Sequence, residues 1–461
     1  MNLAIVQPMA DARAASRPYR DEVAVLAAAL RQEGHGVSLV RVGPAEEADL
    51  AAAMAESRPD LVLMYVEGLA ADAAVRAAGV VASVRGTPLI AFGPHARMCP
   101  NPCLSLPGAE AVAVGPADFT VPAYLERRGR TVDSLRAPGL WVQCETGTMR
   151  NPLPAPPASL VAQPMPARDL YLSDQVLDSA GFAPITVARG GETGPAATAT
   201  VHGAPGSAGW PARHRPVDAV LDEMARVADE QLDLVGWRIG NARWMASPQW
   251  LAEFADRYQK QVRLPIRTTL HAPDVKDQGA ALLARIGCEE AVVPIGSASH
   301  LIRNDVLGMD VPEGAIVMAF TALRCAGIRT VARVEVGAPY ETSITLDETA
   351  ALLGRLEVDR VEAVLHYPEP GSGVEKIAKE NGWLVPDPTA AHLAGRPAVV
   401  PPSLSADAIV TACELMPYIV LRPRIVPLLR WARRVKIGRR GTAYDLLVKP
   451  FLAPPMRRKK R

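Results

Sequence analysis

Along the first 115 residues, short apolar runs alternate with stretches whose apolar residues recur every three or four positions. That is the rhythm of strand and helix in turn. Leu3, Ala4, Ile5 and Val6 predict a strand over 3–6. Residues 20–33 follow as an amphipathic helix, with Val23, Leu26, Ala27 and Leu30 on one face and Gly34-His35-Gly36 ending it. The pattern then predicts strand 37–42, helix 45–57, strand 60–65, helix 70–85, and strands 88–92 and 111–114. Alternating elements joined by short loops require parallel strands, so residues 1–130 are expected to form a doubly wound, Rossmann-like α/β domain. Such sheets bind ligands at their C-terminal strand ends. Here those ends are Gln7-Pro8, residues 65–69, Gly93-Pro94-His95 and Gly115-Pro116-Ala117.

Pro152, Pro154, Pro156, Pro157, Pro164 and Pro166 crowd the next stretch, and residues 131–178 read as an extended linker. Strand and helix then alternate again. A strand at 185–188 runs into a loop at 189–200. It is followed by helix 217–230, strand 232–237, helix 248–261, strand 266–270, helix 279–286, strand 290–295, helix 313–326, strand 330–336, helix 346–356 and strand 360–366. Six βα repeats predict a partial (β/α)6 TIM-type barrel over 179–385. Residues 386–461 form a small C-terminal helical region with a helix at 405–416.

Composition changes this picture in three places. The net charge of +1 hides an asymmetry: between Arg422 and Arg461 there are 14 Lys/Arg and one acid, Asp445, so the rest of the chain carries −12. A basic tail that mixes Ile425, Leu428, Leu429 and Trp431 with arginines suits a peripheral contact with an anionic membrane. It equally suits a helix capping the barrel with a solvated tail. Aromatic residues are too sparse to suggest specific nucleic-acid binding. The six cysteines are scattered, which fits a reducing cytoplasm rather than a disulfide framework. No apolar run approaches the ~18 residues of a transmembrane helix, and MNLAIVQP does not read as a signal peptide.

Cys99 and Cys103 flank Pro-Asn-Pro just after His95. They are either a proline-stiffened loop or, with His95, three ligands of a metal.

Several phrases carry a family resemblance. Leu30 to His35 matches a "Leu-x-x-x-Gly-His" helix end, and Pro59-Asp60-Leu61-Val62 a "Pro-Asp-hydrophobic" strand. Gly93-Pro94-His95 partly matches a "Gly-Gly-x-His" loop, and Gly115-Pro116-Ala117-Asp118 keeps the glycine of a "Gly-Glu-x-Glu" loop. Further on, Pro166-Ala167-Arg168-Asp169 matches the "Pro-Ala-Arg-Asp" that leads into a barrel. The segment from Trp210 to Asp218 (WPARHRPVD), Gly287-Cys288, the phrase from Gly337 to Thr342 (GAPYET) and that from Tyr367 to Ser372 (YPEPGS) also match. Together these resemble the radical S-adenosylmethionine (SAM) family with a cobalamin (B12)-binding domain, over roughly residues 1–385. The resemblance implies cobalamin at the first domain, with Gln7, Gly93, His95 and Gly115 as the contacting positions; alternatively, the fold is kept and the ligand lost.

The resemblance also marks what is missing. An active member holds a [4Fe–4S] cluster through Cys-x3-Cys-x2-Cys in the loop after the first barrel strand, because thiolates hold such clusters. That loop begins Arg-Gly-Cys. Here Arg189-Gly190 remain, but the three ligand positions are Gly191, Pro195 and Thr198, and no cysteine lies between Cys144 and Cys288. The family's "Asp-Asp-x-Phe" reads Arg238-Ile239-Gly240-Asn241, and the SAM-facing "Gly-x-Glu-Ser" reads Gly296-Ser297-Ala298-Ser299. Gly190-Gly191-Glu192 looks like a SAM motif but precedes the second strand, and is read as chance. A [4Fe–4S] cluster is therefore not expected and SAM is disfavoured.

Arg189, Glu192, Arg238, Asn241, Arg243, Arg267, His271, His300 and Arg333, with Ser297, are candidates to line the barrel mouth. They are either satisfied rim residues or, where Arg189, Arg238, Asn241, Arg267 and Ser297 converge, a pocket for an anionic ligand. Three functions fit. The first is a pseudoenzyme acting as an accessory or scaffolding subunit, paired with an active radical SAM paralogue. The second is a cobalamin-dependent methyltransferase-like enzyme of non-standard chemistry. The third is a sensor of cobalamin or an anionic metabolite.

Overall fold

The computed structural model describes residues 1–10, 19–43, 45–128, 135–190, 200–201, 204–205, 211–240 and 243–434. Gly191, Glu192, Pro195, Thr198 and Asn241, and the basic tail beyond residue 434, lie outside the described residues. The chain divides into two compact units. One is Met1–Trp244 with Lys260–Leu264 and Glu369–Ser372; the other is Met245–Gln259, Pro265–Pro368 and Gly373–Arg461.

The first unit is built on a seven-stranded sheet. Its first five strands and their helices run β1 (Asn2–Pro8), α1 (Asp21–Gln32), β2 (Gly36–Val42), α2 (Glu47–Ser57), β3 (Leu61–Tyr65), α3 (Ala71–Arg85), β4 (Leu89–Phe92), α4 (Pro94–Met98), α5 (Pro100–Leu104), β5 (Ala109–Ala113) and α6 (Ala117–Leu125). These five strands pair in parallel. The sheet is covered on both faces, which is why its strands read as continuous apolar runs. Leu3 and Ile5 enter the core shared with Leu26 and Leu30 of α1. Ala4 and Val6 enter the opposite core with Leu50, Met54, Ala74 and Ala78 of α2 and α3. Each fully buried Leu or Val contributes about 1.5–3 kcal/mol.

The stretch read as linker is not wholly extended. Leu140–Cys144 (β6) and Gly147–Arg150 (β7) form an antiparallel hairpin that completes the sheet in the order β2-β1-β3-β4-β5-β6-β7. The Arg150 guanidinium stacks on Trp141 across it, 4.7 Å from the ring centre. The proline-rich residues after it form no strand or long helix.

The same unit holds β8 (Phe182–Ile185), β9 (Ala188–Arg189), β10 (Arg213–His214), α7 (Val217–Glu230) and β11 (Gly236–Ile239). β8 pairs in parallel with β11, while β9 pairs antiparallel with β10. The main strand thus lies three residues earlier than the pattern predicts. Pro184 disguises it, but β8 is an edge strand, where a proline is tolerated.

The second unit carries α8 (Pro248–Gln261) up to Gln259, then β12 (Ile266–Thr269), α9 (Asp277–Arg285), β13 (Cys288–Gly296), α10 (Glu313–Cys325), β14 (Arg329–Val336), α11 (Ser343–Leu356), β15 (Arg360–Leu365), α12 (Gly373–Glu380), α13 (Ala406–Leu421) and α14 (Val426–Arg434). Its strands pair in parallel in chain order. All six strand–helix repeats read from the sequence are therefore present, within a few residues of their expected bounds. In the second unit, one sheet face carries the buried Ala291, Val293, Ile295, Ala332, Val334 and Val336. By the period-two alternation, the other face carries Arg267, Glu290, Arg333, Glu335 and Glu362.

Candidate functional site

Both units place polar residues at C-terminal strand ends. In the first unit, three of the four positions expected to meet cobalamin make close approaches within the chain. Gln7 is buried and accepts a hydrogen bond from the Tyr171 hydroxyl at 2.9 Å. Gly93 has φ +109°, and a Cβ there would lie 2.8 Å from the Val66 carbonyl oxygen and 3.0 Å from the Tyr65 ring. A Cβ at Gly115 would press on Thr120 and Pro154. His95 is buried in the first turn of α4.

Around these positions the charges are paired. Arg20 bonds Glu67, which also accepts from the Tyr65 hydroxyl at 3.1 Å, and Arg97 bonds Glu22 at 2.5 Å. The turn at Glu369–Ser372 packs on the ends of β3 and β4. Gly371 approaches Met98 and Cys99 so closely that a Cβ would lie 2.8 Å from the Cys99 sulfur, and Gly68 faces Glu369 in the same way. Gln7, Gly93, His95 and Gly115 all lie at or just after the C-terminal ends of β1, β4 and β5.

Arg189, where the cluster loop would begin, is held by Asp118 in the first turn of α6. Its Nη1 and Nη2 donate to the two carboxylate oxygens at 2.6 and 2.8 Å. Burial would lower the Arg189 pKa, but the Asp118 charge and hydrogen bonds outweigh it and keep the guanidinium charged. Arg238 is likewise bound to Asp178 (Nε to Oδ2, 2.9 Å), whose other oxygen accepts from the backbone N–H groups of Ala180 and Phe182. Burial would raise the Asp178 carboxyl, and these donors together hold it below its ordinary value.

Beneath β8 lies a buried charge triad. On α7, Val217, Val220, Leu221, Met224 and Val227 form the apolar stripe, and Glu223 sits within it at 1% exposure. A lone carboxylate there would be very costly. Arg168 answers it with two donations to Oε1 (2.9 and 2.7 Å), and Arg215 donates to Oε2 at 2.6 Å. The "Pro-Ala-Arg-Asp" phrase and the segment from Trp210 to Asp218 thus supply the two arginines that let this helix bury a glutamate. Glu223 itself carries no signal in the sequence pattern.

In the second unit, Arg267 bonds Glu289 at 2.6 Å and Arg333 bonds Glu362 at 2.9 Å. Arg267 is level with Glu290 and Arg329, and Arg333 lies four residues further along β14, about 13 Å at the rise of a strand. These two arginines do not converge, and carboxylates match both charges. Arg243 is also engaged. His300 is exposed, 3.8 Å from Asp305. His271 is buried at the end of β12, with Nδ1 3.6 Å from Asp274.

The loop after β13 is tied inward. Ser297 is fully buried; its hydroxyl accepts from the Ser299 N–H, and the Ala298 N–H donates to the Thr349 hydroxyl. Arg303, on the π-helical turn Leu301–Val306, donates to the carbonyls of Ser297, Ala298 and Val311 at 3.0, 2.8 and 2.6 Å. Burial lowers the Arg303 pKa, and the charge of Glu313 only partly opposes it. This loop's polar groups are thus tied together by hydrogen bonds within the chain.

One pair that periodicity could not reveal has chemical capacity. His366, just past β15, meets Glu335 of β14 with Nδ1 to Oε2 at 2.5 Å, and its buried Nε2 has no hydrogen-bond partner. Burial would raise the Glu335 carboxyl, but the hydrogen bond and charge of His366, and then Arg333, hold it below its ordinary value. A carboxylate orienting an imidazole is a proton-transfer arrangement. Nearby Glu341 is buried, accepts from the Gly337 N–H at 2.5 Å, and has its carboxyl pushed up to about 7, chiefly by burial.

The donor set does not fit a cluster. Gly191, Pro195 and Thr198 offer no thiolate. All six cysteines fall among the described residues, and none is in a disulfide. Burial pushes the thiols of Cys103 and Cys288 up to about 12, and Cys288 stands at the N-terminal end of β13, away from the strand mouths. Among the described residues no three His, Cys, Asp or Glu side chains are placed to hold a metal ion, the trio His95, Cys99 and Cys103 included.

No family model and no curated protein matches the chain. Solved structures do. The radical SAM methyltransferase TsrM from Kitasatospora setae, with tryptophan substrate and a SAM analogue bound, is 18% identical, with a TM-score of 0.64 over 83% of this chain and 76% of that one. TsrM with cobalamin and a [4Fe–4S] cluster bound matches at 17% identity and the same TM-score, over 84% of this chain and 76% of that one. The cobalamin-dependent SAM radical enzyme OxsB, with aqua-cobalamin and SAM bound, is 12% identical, with a TM-score of 0.63 over 77% of this chain and 52% of that one.

Proposed function

We propose that this chain, which has the fold of the cobalamin-dependent radical SAM enzymes, has given up the radical reaction and serves as an accessory or scaffolding subunit beside an active enzyme. One observation carries the reading: after Arg189-Gly190, the three positions that would ligate the cluster are Gly191, Pro195 and Thr198. Without thiolates there is no [4Fe–4S] cluster and no reductive cleavage of SAM. Two features support it. Ala298 stands where the SAM-facing glutamate would be, and Arg303 draws that loop's carbonyls inward. Arg189 and Arg238 are each spent on a carboxylate of the chain.

The test is the iron content and visible spectrum of protein purified with cobalamin supplied, followed by mixing with an intact family member. This reading expects no cluster absorbance, and a change in the partner's turnover or stability on mixing. Bound cobalamin is compatible with the subunit role.

The second reading is an enzyme with other chemistry at the barrel strand ends. The Glu335–His366 pair favours it, because an oriented imidazole is more than a scaffold needs. It expects turnover without a partner, lost in His366→Gln.

A further inference from the structure

α14 has two apolar ridges where one would suffice. Val426, Leu429 and Ala432 recur every three residues and are buried with Leu415 and Tyr418 of α13. That ridge accounts for the folding of the helix. Leu428 and Trp431, also three residues apart, lie off this ridge and are 62% and 60% exposed. Exposed single apolar residues are ordinary. Here two large ones are neighbours on one helix turn, beside the exposed Arg422, Arg424 and Arg430.

We propose that the outward face of α14 docks on an anionic lipid bilayer. Charge selects the occupant. Between Arg422 and Arg461 there are 14 Lys/Arg and one acid, and such a segment is drawn to an anionic leaflet. The apolar pair selects a bilayer over other polyanions. Leu428 gains nothing from a phosphate backbone, whereas Trp and Leu beside arginines form the face of a helix lying in an interface. A second copy of the chain is disfavoured, since it would bring two strongly cationic segments together. The helix has nine residues, so it lies on a membrane and does not cross it. Nothing in this proposal requires the barrel to be active or inactive.

The test is flotation of the full-length protein with vesicles of phosphatidylcholine alone and of phosphatidylcholine mixed with phosphatidylglycerol. The expected result is at least roughly tenfold greater partition into the anionic vesicles, falling as salt screens the charges. The variant Leu428→Ser/Trp431→Ser should lose about tenfold of that partition with an unchanged melting temperature, because both side chains are exposed. Arg422→Glu/Arg424→Glu/Arg430→Glu should lose it as well. Equal partition into both vesicle types, or none, overturns the proposal. So does RNA binding abolished by the serine variant, or a dimer in light scattering that the serine variant abolishes.

Discussion

Arg189 and Asp118 are joined by two hydrogen bonds of 2.6 and 2.8 Å, with the Asp118 side chain only 3% exposed. Arg189, at the start of the loop after β9, is thus anchored to the first helical turn after β5. The Asp118 carboxylate neutralises the Arg189 guanidinium through both of its terminal nitrogens. Arg189→Ala would leave a buried carboxylate unpaired, at an expected cost of about 3 kcal/mol. Denaturant titration of Arg189→Ala, Asp118→Ala and the double variant measures the coupling directly. A coupling near zero would mean that the pair forms without stabilising the fold.

Glu223 is the most consequential buried charge described. Glu223→Gln should cost about 3–5 kcal/mol, because Arg168 and Arg215 would face each other without a counter-charge. Arg226→Ala, on the exposed side of the same helix, should change stability by less than about 0.5 kcal/mol. Equal effects from the two variants would show that the triad is not what lets α7 bury its face.

The protein should lose stability as pH rises from about 5 to 8. Glu341 has its carboxyl raised to about 7 in the folded state, against ~4.3 in an unfolded chain. Between those values the native state binds the extra proton, so stability falls as pH rises and the full penalty is reached above pH 7. The size is on the order of 3 kcal/mol for this residue alone. Melting temperature against pH checks it, with Glu341→Gln flattening the slope over that interval. A slope unaltered in the glutamine variant would assign the effect elsewhere.

Restoring thiolates tests the register of the loop. Gly191→Cys/Pro195→Cys/Thr198→Cys should take up iron and sulfide on anaerobic reconstitution. SAM cleavage should stay absent while Ala298 occupies the glutamate position. Iron loading no greater than that of the native chain would mean that these three positions do not converge.

The layers of the fold were legible because burial imposes period. Strands covered on both faces read as unbroken apolar runs, and the helices kept their three- and four-residue spacing. The β6–β7 hairpin was missed because two short strands with a polar turn resemble a connector, and the true β8 was obscured by Pro184. At the candidate site only residue identities could be read: Gly191, Pro195 and Thr198 carry no group that holds iron, and Ala298 carries no carboxylate. Partners were not visible. Asp118 lies 71 residues from Arg189, Glu362 lies 29 from Arg333, and Glu335 lies 31 from His366. No periodicity connects such distances. The arginines therefore read as a pocket for an anion, whereas the fold gives Arg189, Arg238, Arg267 and Arg333 each a carboxylate partner.

Anaerobic reconstitution with iron and sulfide decides whether this scaffold has given up the radical SAM reaction. After desalting, the native chain should retain no stoichiometric iron, show no cluster signal in electron paramagnetic resonance after reduction, and release no 5′-deoxyadenosine from SAM. A [4Fe–4S] protein that cleaves SAM under reducing conditions would contradict the account.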